Sequence, residues 1–423
     1  MEYNTGFVKL QQSSEQVSTT VEHADGQREQ IVSRYLVGTD GSKSMVRQQS
    51  GLPLELTTLP DARLLQIDAR LRWSRPVSYD QLWFFLFDNG FAGIVPLPHG
   101  YYRMFFCTSA AKIPDRQPTL AEMQSHLRAA SGDPRAEFYE PQWFSQGQFQ
   151  YGVANQFRAG RVFLAGDAAH ATIPIGGQGM NTGVQDAFNL GWKLASVLQG
   201  RAHPDLLDSY SAERQRVRRE LAADQVSNFN RLLHPSRLQK WVMTTLGPLV
   251  MKRQRSVELG RRDETQLAIN YPASALNEDH LKGGLGAGER APDAEVVSLG
   301  DSSTTTLFDL IYDGEWTVLA FDGGRGGSTL AALSAVVQPI NALGWSVKAR
   351  LVLANRKAPL GGALVNHVLL DLDRYAHEAY KVSQPTIYLI RPDGHVAFRA
   401  RSDAAGSLLD YCKRWLRPVG VTG

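Results

Sequence analysis

The chain opens on an alternating apolar and polar pattern. It predicts strands over Gly6–Leu10 and Val17–Glu22, a turn at Ala24-Asp25-Gly26 and a further strand over Glu29–Val37. That strand runs into Gly38-Thr39-Asp40-Gly41, and Ser42–Gly51 then reads as a short helix. An aspartate between glycines, after a strand and before a helix, is the geometry used where a ligand meets the end of a parallel sheet. From Leu64 to Cys107 the alternation is almost continuous: LLQIDARLRW, QLWFFLF, FAGIVPLP and YYRMFFC, broken at Asp88-Asn89-Gly90 and His99-Gly100. This predicts a mostly antiparallel sheet, long enough to wall a cavity. A helix follows over Thr119–Ala130, and strands resume near Phe138–Tyr151.

A second rhythm starts at Arg161–Leu164, a buried strand leading into Gly166-Asp167. Gln178–Leu198 reads as a helix in which Val184, Ala187, Phe188, Gly191, Leu194, Ala195 and Leu198 form one apolar stripe, with Gly200 as its stop. Two more helical stretches cover about Leu206–Leu233 and Leu238–Leu259. Glycines 283, 284, 286 and 288 mark Asn277–Pro292 as a linker. Beyond it comes a fresh α/β pattern: strands Thr317–Phe321, Val347–Leu353, Thr386–Ile390 and Val396–Arg401, with helices near Thr329–Leu343 and Asp373–Tyr380.

Length and composition narrow the class. At 423 residues the chain has room for two or three domains, and 43% apolar with 21% charged residues is ordinary for a globular protein. A net charge of +3 gives no reason to expect a nucleic-acid partner, and the basic runs Arg214–Arg219 and Lys252–Arg262 read as solvated faces. Cys107 and Cys412 fit no CxxC or zinc spacing, so no metal is expected and the thiols read as reduced, in a cytoplasmic compartment. No window approaches the ~18 apolar residues of a membrane span, and the first residues lack a signal core.

The chemistry concentrates in GRVFLAGDAAHATIPIGGQGMNTGVQDAFNLGWKLASVLQG. A strand delivers Asp167 at its C-terminal end, where a carboxylate can accept hydrogen bonds from a polyol such as a ribityl chain. Gly176, Gly177 and Gly179 strip side chains from the turn that opens the next helix, so bare backbone can approach a planar ring. The first N–H groups of that helix, at its positive dipole end, suit the N1–C2=O edge of a flavin, which becomes anionic on reduction.

This stretch resembles the second flavin signature of the class A aromatic hydroxylases, the para-hydroxybenzoate hydroxylase fold. Leu36–Arg47, with Asp40-Gly41 at its centre, is similar to that family's middle signature. The resemblance implies that Asp40 and Arg47 lie near the pyrophosphate and pyridine-nucleotide path. It implies that Gly166 and Asp167 meet the ribityl region, and that Pro174, Gly176, Gly177, Gln178, Gly179, Met180 and Asn181 line the isoalloxazine. Trp83, Phe85 and Phe87, alternating with Phe84 and Leu86, are candidates for the substrate pocket together with Pro96; either set of the strand could face inward. His170 and Pro174 are the candidates nearest the chemistry, and no base is assigned. The tail motif Ser383-Gln384-Pro385-Thr386 looks like the cis-proline edge of a thioredoxin-like fold, as in the phenol-hydroxylase branch. Without CxxC that domain is read as packing or forming a homodimer rather than as redox-active.

The implied division is a remainder of an α/β, Rossmann-like FAD-binding domain over 1–52, a substrate sheet over 53–150 and a return to the FAD-binding domain with helices over 151–265. A linker over 266–290 and a thioredoxin-like domain over 291–423 complete it. The implied function is an FAD-dependent monooxygenase. NAD(P)H reduces FAD, O2 forms a flavin C4a-hydroperoxide, and a phenolic or polycyclic aromatic substrate is hydroxylated. The family's first signature, GxGxxG with its acidic partner, does not precede Asp40. The expectation is therefore a chain cut short before its ADP-binding half, poorly soluble and weak in FAD binding. The alternatives are a non-oxygenating flavoprotein of the same fold or an inactive remnant acting as an interaction protein.

Overall fold

The computed structural model describes all residues except 76–80, 88–89, 110–112, 114, 174–176, 235, 246–265, 325–327, 343, 356–361 and 419–423. Strands β1 (Thr5–Gln12), β2 (Val17–His23) and β3 (Arg28–Ser33) form an antiparallel meander. Val17, Thr19 and Val21 alternate onto its buried face. The single strand predicted over Glu29–Val37 is two strands. Pairing with β2 stops at Ser33, and β4 (Leu36–Gly38) leaves for another sheet, pinned by Leu36 N–H donating to Arg161 O at 3.0 Å. Tertiary pairing overrides a local pattern that shows no break. Helix α1 (Met45–Gln49) is short because Gly51 turns the chain at φ 68°.

The second sheet has the order β12-β9-β5-β8-β7-β6, with every neighbour antiparallel. Its strands are β5 (Thr57–Arg72), β6 (Trp83–Phe87), β7 (Gly90–Pro96), β8 (Tyr101–Ser109), β9 (Glu137–Val153) and, much later, β12 (His170–Ala171). Asp88 and Asn89 of the predicted turn lie outside the described residues. Helix α2 (Leu120–Ser131) starts at a capping box, Thr119 with Glu122, and lays Met123 and Leu127 against Leu65, Ile67, Ile94 and Met104. The opposite face, carrying Phe91, Cys107 and Phe149, packs on Ile173 and on Phe229 and Leu233.

Strands β10 (Arg158–Ala159) and β11 (Val162–Leu164) add to β4 in the order β10-β11-β4, with β11 and β4 parallel. Helix α3 (Gln178–Leu198) has the predicted limits but not the predicted facing. Val184, Phe188 and Leu198 of its apolar stripe are exposed, whereas Thr182, Asp186, Asn189, Leu190, Lys193 and Val197 are buried. The reason lies in helix α4 (Asp208–Leu233), which offers partners to the polar face. Arg214 Nε meets Asp186 at 2.7 Å and Glu213 meets Lys193 at 2.8 Å. Arg214 and Arg218, read from sequence as part of a solvated run, are buried, while Arg216 and Arg219 are exposed. Helix α5 (Arg237–Thr245) begins the last predicted helical stretch, and the rest, with the basic run at 252–262, lies outside the described residues. No helix among the described residues is long and apolar enough to cross a membrane.

The tail is an eight-stranded mixed sheet of order β13-β20-β19-β16-β17-β18-β14-β15. It comprises β13 (Glu278–Asp279), β14 (Glu295–Ser298), β15 (Thr304–Thr306), β16 (Trp316–Phe321), β17 (Val347–Leu353), β18 (Val368–Leu370), β19 (Thr386–Ile390) and β20 (Val396–Arg401). Helices α6 (Leu307–Ile311), α7 (Ser328–Ala342), α8 (Tyr375–Ala379) and α9 (Ala405–Trp415) complete it. The stretch read as a linker is sewn onto this sheet. Glu278 and Asp279 pair with Phe398 and Arg399, and Gly288 N–H donates to Val396 O at 2.7 Å. No cis peptide occurs among the described residues, so Pro385 is trans. The turn before it is made by Lys381 at φ 54° and by Val382 N–H donating to His377 O at 2.7 Å. Both cysteines are buried free thiols.

A buried charge cluster joins tail and body. Arg391 donates to Glu213 at 2.7 and 3.0 Å and also pairs with Asp393, which accepts from Trp192 Nε1 at 3.0 Å. Removing one member leaves an unpaired buried charge, which costs about 3–5 kcal/mol. Arg391→Met is expected to lower unfolding stability by that amount in urea titrations, whereas Arg216→Met, at an exposed pair, should change it by less than about 1 kcal/mol. Within the tail, burial opposes charging of His377, but its hydrogen bonds to Asp322 (3.0 Å) and Asp371 (2.7 Å) prevail and raise its pKa. The stability this supplies is complete below the unfolded value of about 6.5 and fades as pH rises through the higher folded value. Urea midpoints measured on the alkaline side of neutrality should fall with pH in the parent protein, and His377→Gln should flatten that slope.

Candidate active site

The site grows from the two parallel strands β4 and β11, whose partners Leu36–Val162, Val37–Phe163 and Gly38–Leu164 end level with each other. Their C-terminal ends release Thr39-Asp40 and Ala165-Gly166-Asp167 side by side, tied by Ala165 N–H donating to Gly38 O at 3.0 Å. Gly38 has no alternative, because a Cβ there would stand 2.7 Å from Val46 Cγ1. Asp40 is exposed yet committed to local structure. Its carboxylate accepts from Met45 N–H at 2.8 Å and Val46 N–H at 3.1 Å, and from the Ser44 hydroxyl. Arg47 lies inside, donating to Ala168 O and Ser42 O, both at 2.9 Å, and burial lowers its pKa. It braces the Gly166–Ala168 turn and presents no surface cation.

Gly166 adopts φ 62°, and its N–H donates to Asp186 Oδ2 at 3.0 Å. The same carboxylate binds His170 Nε2 and Arg214 Nε, each at 2.7 Å. Despite its burial, which opposes ionisation, the bonds from His170 and the charge of Arg214 lower the pKa of Asp186. His170 is fully enclosed and burial lowers its pKa, so the imidazole is neutral and positions the turn from within. Asp167 points outward, exposed, with no hydrogen-bond partner among the described residues.

Helix α3 begins beside this turn. Gly177, at φ 66°, is its N-cap, and no atom lies within 4 Å of where a Cβ would be, so the backbone there faces open space. The helix start is anchored by Gln178, whose Oε1 accepts from Gln225 at 2.8 Å and whose carbonyl accepts from Thr182 Oγ1 at 2.7 Å. Gly179 and Asn181 are half-buried and Met180 is exposed. Pro174 and Gly176 lie outside the described residues. Where α3 crosses the Gly166 turn, a Cβ on Gly183 would stand 3.3 Å from Gly166 Cα, so two glycines set the closeness of helix and turn.

The aromatic strand splits its side chains between the two faces of the sheet. Trp83, Phe85 and Phe87 pack on the face that α2 covers, where Phe87 stacks on Phe106 at 4.9 Å and Phe106 on His126 at 4.1 Å. Pro96 ends β7 opposite Tyr102, on the same alternation as Ala92 and Ile94. Leu86, Phe91 and Phe105 share the other face with Ile173, and Phe84 stacks on Phe91 at 5.5 Å. Gly93 lets the Phe105 ring lie across β7, since a Cβ would meet it at 2.1 Å. The discriminating signal was the apolar spacing of Met123 and Leu127, which demanded one face of the sheet as core. Asp186, Gly183, Arg214 and Arg218 were also missed. The i,i+4 spacing of the two arginines, with an aspartate inside the preceding helix, was the available clue.

The Gly166–Gly183 contact sets a test. Gly183→Val must push α3 off the turn, and it is expected to weaken FAD binding at least about tenfold, read by flavin fluorescence. Gly191→Ala, facing open space on the same helix, should leave that affinity unchanged.

Residues 1–225 match the family model described as an FAD binding domain, and residues 286–418 match that of the aromatic-ring hydroxylase C-terminal domain. The chain is 31% identical over 395 residues to 6-methylpretetramide 4-monooxygenase of Streptomyces rimosus, covering 91% of this chain and 67% of that protein. It is 31% identical over 324 residues to pentachlorophenol 4-monooxygenase of Sphingobium chlorophenolicum, covering 75% of this chain but only 57% of that protein's length. Among solved structures, aklavinone-11 hydroxylase in complex with FAD and aklavinone superposes with a TM-score of 0.68 at 25% identity, covering 97% of this chain and 73% of that one. The chain belongs to the aromatic-ring hydroxylase family built on an FAD-binding domain.

Proposed function

We propose that this chain carries out, or forms the larger part of, an FAD-dependent monooxygenation of a phenolic or polycyclic aromatic compound, with NAD(P)H and O2 as co-substrates. The observation that carries the reading is the adjacency of three features: exposed Asp167, the open backbone at Gly177, and the aromatic sheet face that reaches them through Ile173. The residues present fit the ribityl and ring half of FAD. When bound, FAD supplies the reduction and oxygen activation that no side chain provides.

The protein's own part is positioning and exclusion of water. Asp167 would accept hydrogen bonds from ribityl hydroxyls. The first N–H groups of α3, which lack intrahelical partners, would donate to the N1–C2=O edge, where their dipole would favour negative charge. Exposed Phe84, with half-buried Leu86 and Phe105 beside it and buried Phe91 as backing, gives a planar substrate an apolar edge on which to stack. His170, neutral and enclosed, holds the turn through Asp186 and moves no proton. Among the described residues, Asp40 and Arg47, which the resemblance puts near the pyrophosphate, are engaged in protein contacts. FAD affinity is therefore expected to be weak, in the micromolar range or above, on the order of −8 kcal/mol at best.

The tail reads as a thioredoxin-like domain without redox function. Its only thiol, Cys412, is buried, and burial pushes its pKa up to about 12. It serves in packing or in homodimerisation, and the compartment is cytoplasmic.

The test loads the purified chain with excess FAD, supplies NADPH or NADH with a panel of phenols and aromatic polyketides, and follows isotopically labelled O2 into product by mass spectrometry. Label in a hydroxylated ring is the expected outcome. NAD(P)H oxidation that stays uncoupled with every compound, on a protein shown to hold flavin, would overturn oxygenation and leave a flavoprotein of other chemistry.

A further inference from the structure

The tail domain carries a polar recess of about 410 Å³, lined by none of the residues used in the reading above. It lies where the loop after β13, the turn before β19 and one face of the β19–β20 ladder meet. Thr386 stands opposite Arg401 and Tyr388 opposite Arg399, so the ladder turns two arginines and two hydroxyl-bearing residues to one side. The two loops bring Lys282 and Lys381 to the same recess. Four cations thus surround one small volume.

Their partners are unevenly shared. Arg399 is nearly enclosed and saturated: it donates to Asp279 Oδ1 at 2.9 Å and to the carbonyls of Leu281 and Leu285 at 2.7 Å each, and it also holds Gly283 O. It acts as the post around which the loop is wound. Gly283 and Gly284, at φ 68° and 77°, let that loop curl without placing side chains in the recess. Asp279, the carboxylate closest to the cluster, is consumed by this arrangement. Lys282 and Lys381 have no ion-pair partner among the described residues. Arg401 has only a 3.4 Å bond to Gln384 and a 4.0 Å approach to exposed Asp403. Three weakly compensated cations at the rim of a recess with Ser383 and Thr386 hydroxyls in its wall create a focused positive potential. Ammonium point charges beside a free guanidinium fork are the donor set that suits phosphate oxygens. The volume admits a diphosphate and leaves room for an attached group.

We propose that this recess is a binding site for a phosphate-bearing small molecule of pyrophosphate size. Lys282, Lys381 and Arg401 bind the oxyanion directly, and Arg399 holds the loop that shapes the site. The proposal gives the tail a ligand of its own and does not depend on the oxygenation chemistry.

Titration calorimetry of the full chain at low salt with inorganic pyrophosphate tests it. Pyrophosphate is expected to bind, and added salt should weaken the binding. Lys381→Glu with Arg401→Glu should weaken it by about ten- to a hundredfold, the range expected when charge-assisted hydrogen bonds are lost. Lys282→Gln, a single change at an exposed side chain, should give a smaller loss and serves if the double variant fails to fold. An ADP arm separates sources: tighter binding than pyrophosphate assigns a nucleotide, and equal affinity assigns the bare diphosphate. The proposal is overturned if sulfate binds as tightly as pyrophosphate, or if the folded variants bind pyrophosphate as the parent does. The latter result would trace the heat to the flavin region instead.

Discussion

The fold depends on the buried ion network that runs along the shared face of α3 and α4. Placing Asp186, Lys193, Glu213, Arg214 and Arg391 out of water costs several kcal/mol per charge before any pairing. The arrangement is tolerable only because each charge meets opposite charge and directed hydrogen bonds: Asp186 takes Arg214, His170 and Gly166 N–H, and Glu213 takes Lys193 and both arms of Arg391. Even so, the Lys193 ammonium, fully enclosed, is pushed by burial down to about 8, so it remains mostly charged at neutrality. Such a network does not tolerate sliding. A shift of one helical residue would strand several charges at once, which fixes the register of α3 on α4 more sharply than apolar packing would.

That constraint accounts for the inverted facing of α3. Its spacing of Val184, Phe188 and Leu198 is as good an apolar stripe as a helix offers, and the periodicity alone points it inward. What decides the facing is whether the polar positions have partners, and those sit on α4, twenty or more residues later in the chain. Pairwise electrostatics across such separations leave no periodic trace, so α3 was legible in extent but not in orientation. The same holds for the sheet: the strand Trp83–Phe87 was readable as a strand, but which alternation packs as core depended on α2 claiming one face. Where the local rule and the tertiary demand coincide, as at Thr386–Ile390 and Val396–Arg401, the limits follow directly from the pattern.

The glycines of the site were the most legible part, because their reason is local. Gly166 and Gly177 occupy left-handed backbone, and the run around them has few other uses at a strand-to-helix junction. Asp167 likewise follows from its place at the end of an apolar strand. Asp40 and Arg47 show the limit of transferring roles by resemblance. Both stand where the motif puts them, and their polar atoms hold α1 and the Ala168 carbonyl.

The tail can be placed in the same chain of causes. Gly166 N–H is held by Asp186, Asp186 by Arg214, and Arg214 Nη1 donates to the Tyr271 hydroxyl at 3.1 Å. The Tyr271 ring lies against His395 at 4.5 Å and beneath the Arg391 guanidinium at 5.3 Å, both in the tail. Arg391 returns to Glu213, one residue before Arg214 on α4. The loop of contacts therefore closes on itself, and the tail is a member of the network rather than an appendage to it. The tail thereby helps set where Gly166 sits, because Asp186, Arg214, Tyr271, Glu213 and Arg391 between them are buried and have no water to substitute for a lost partner.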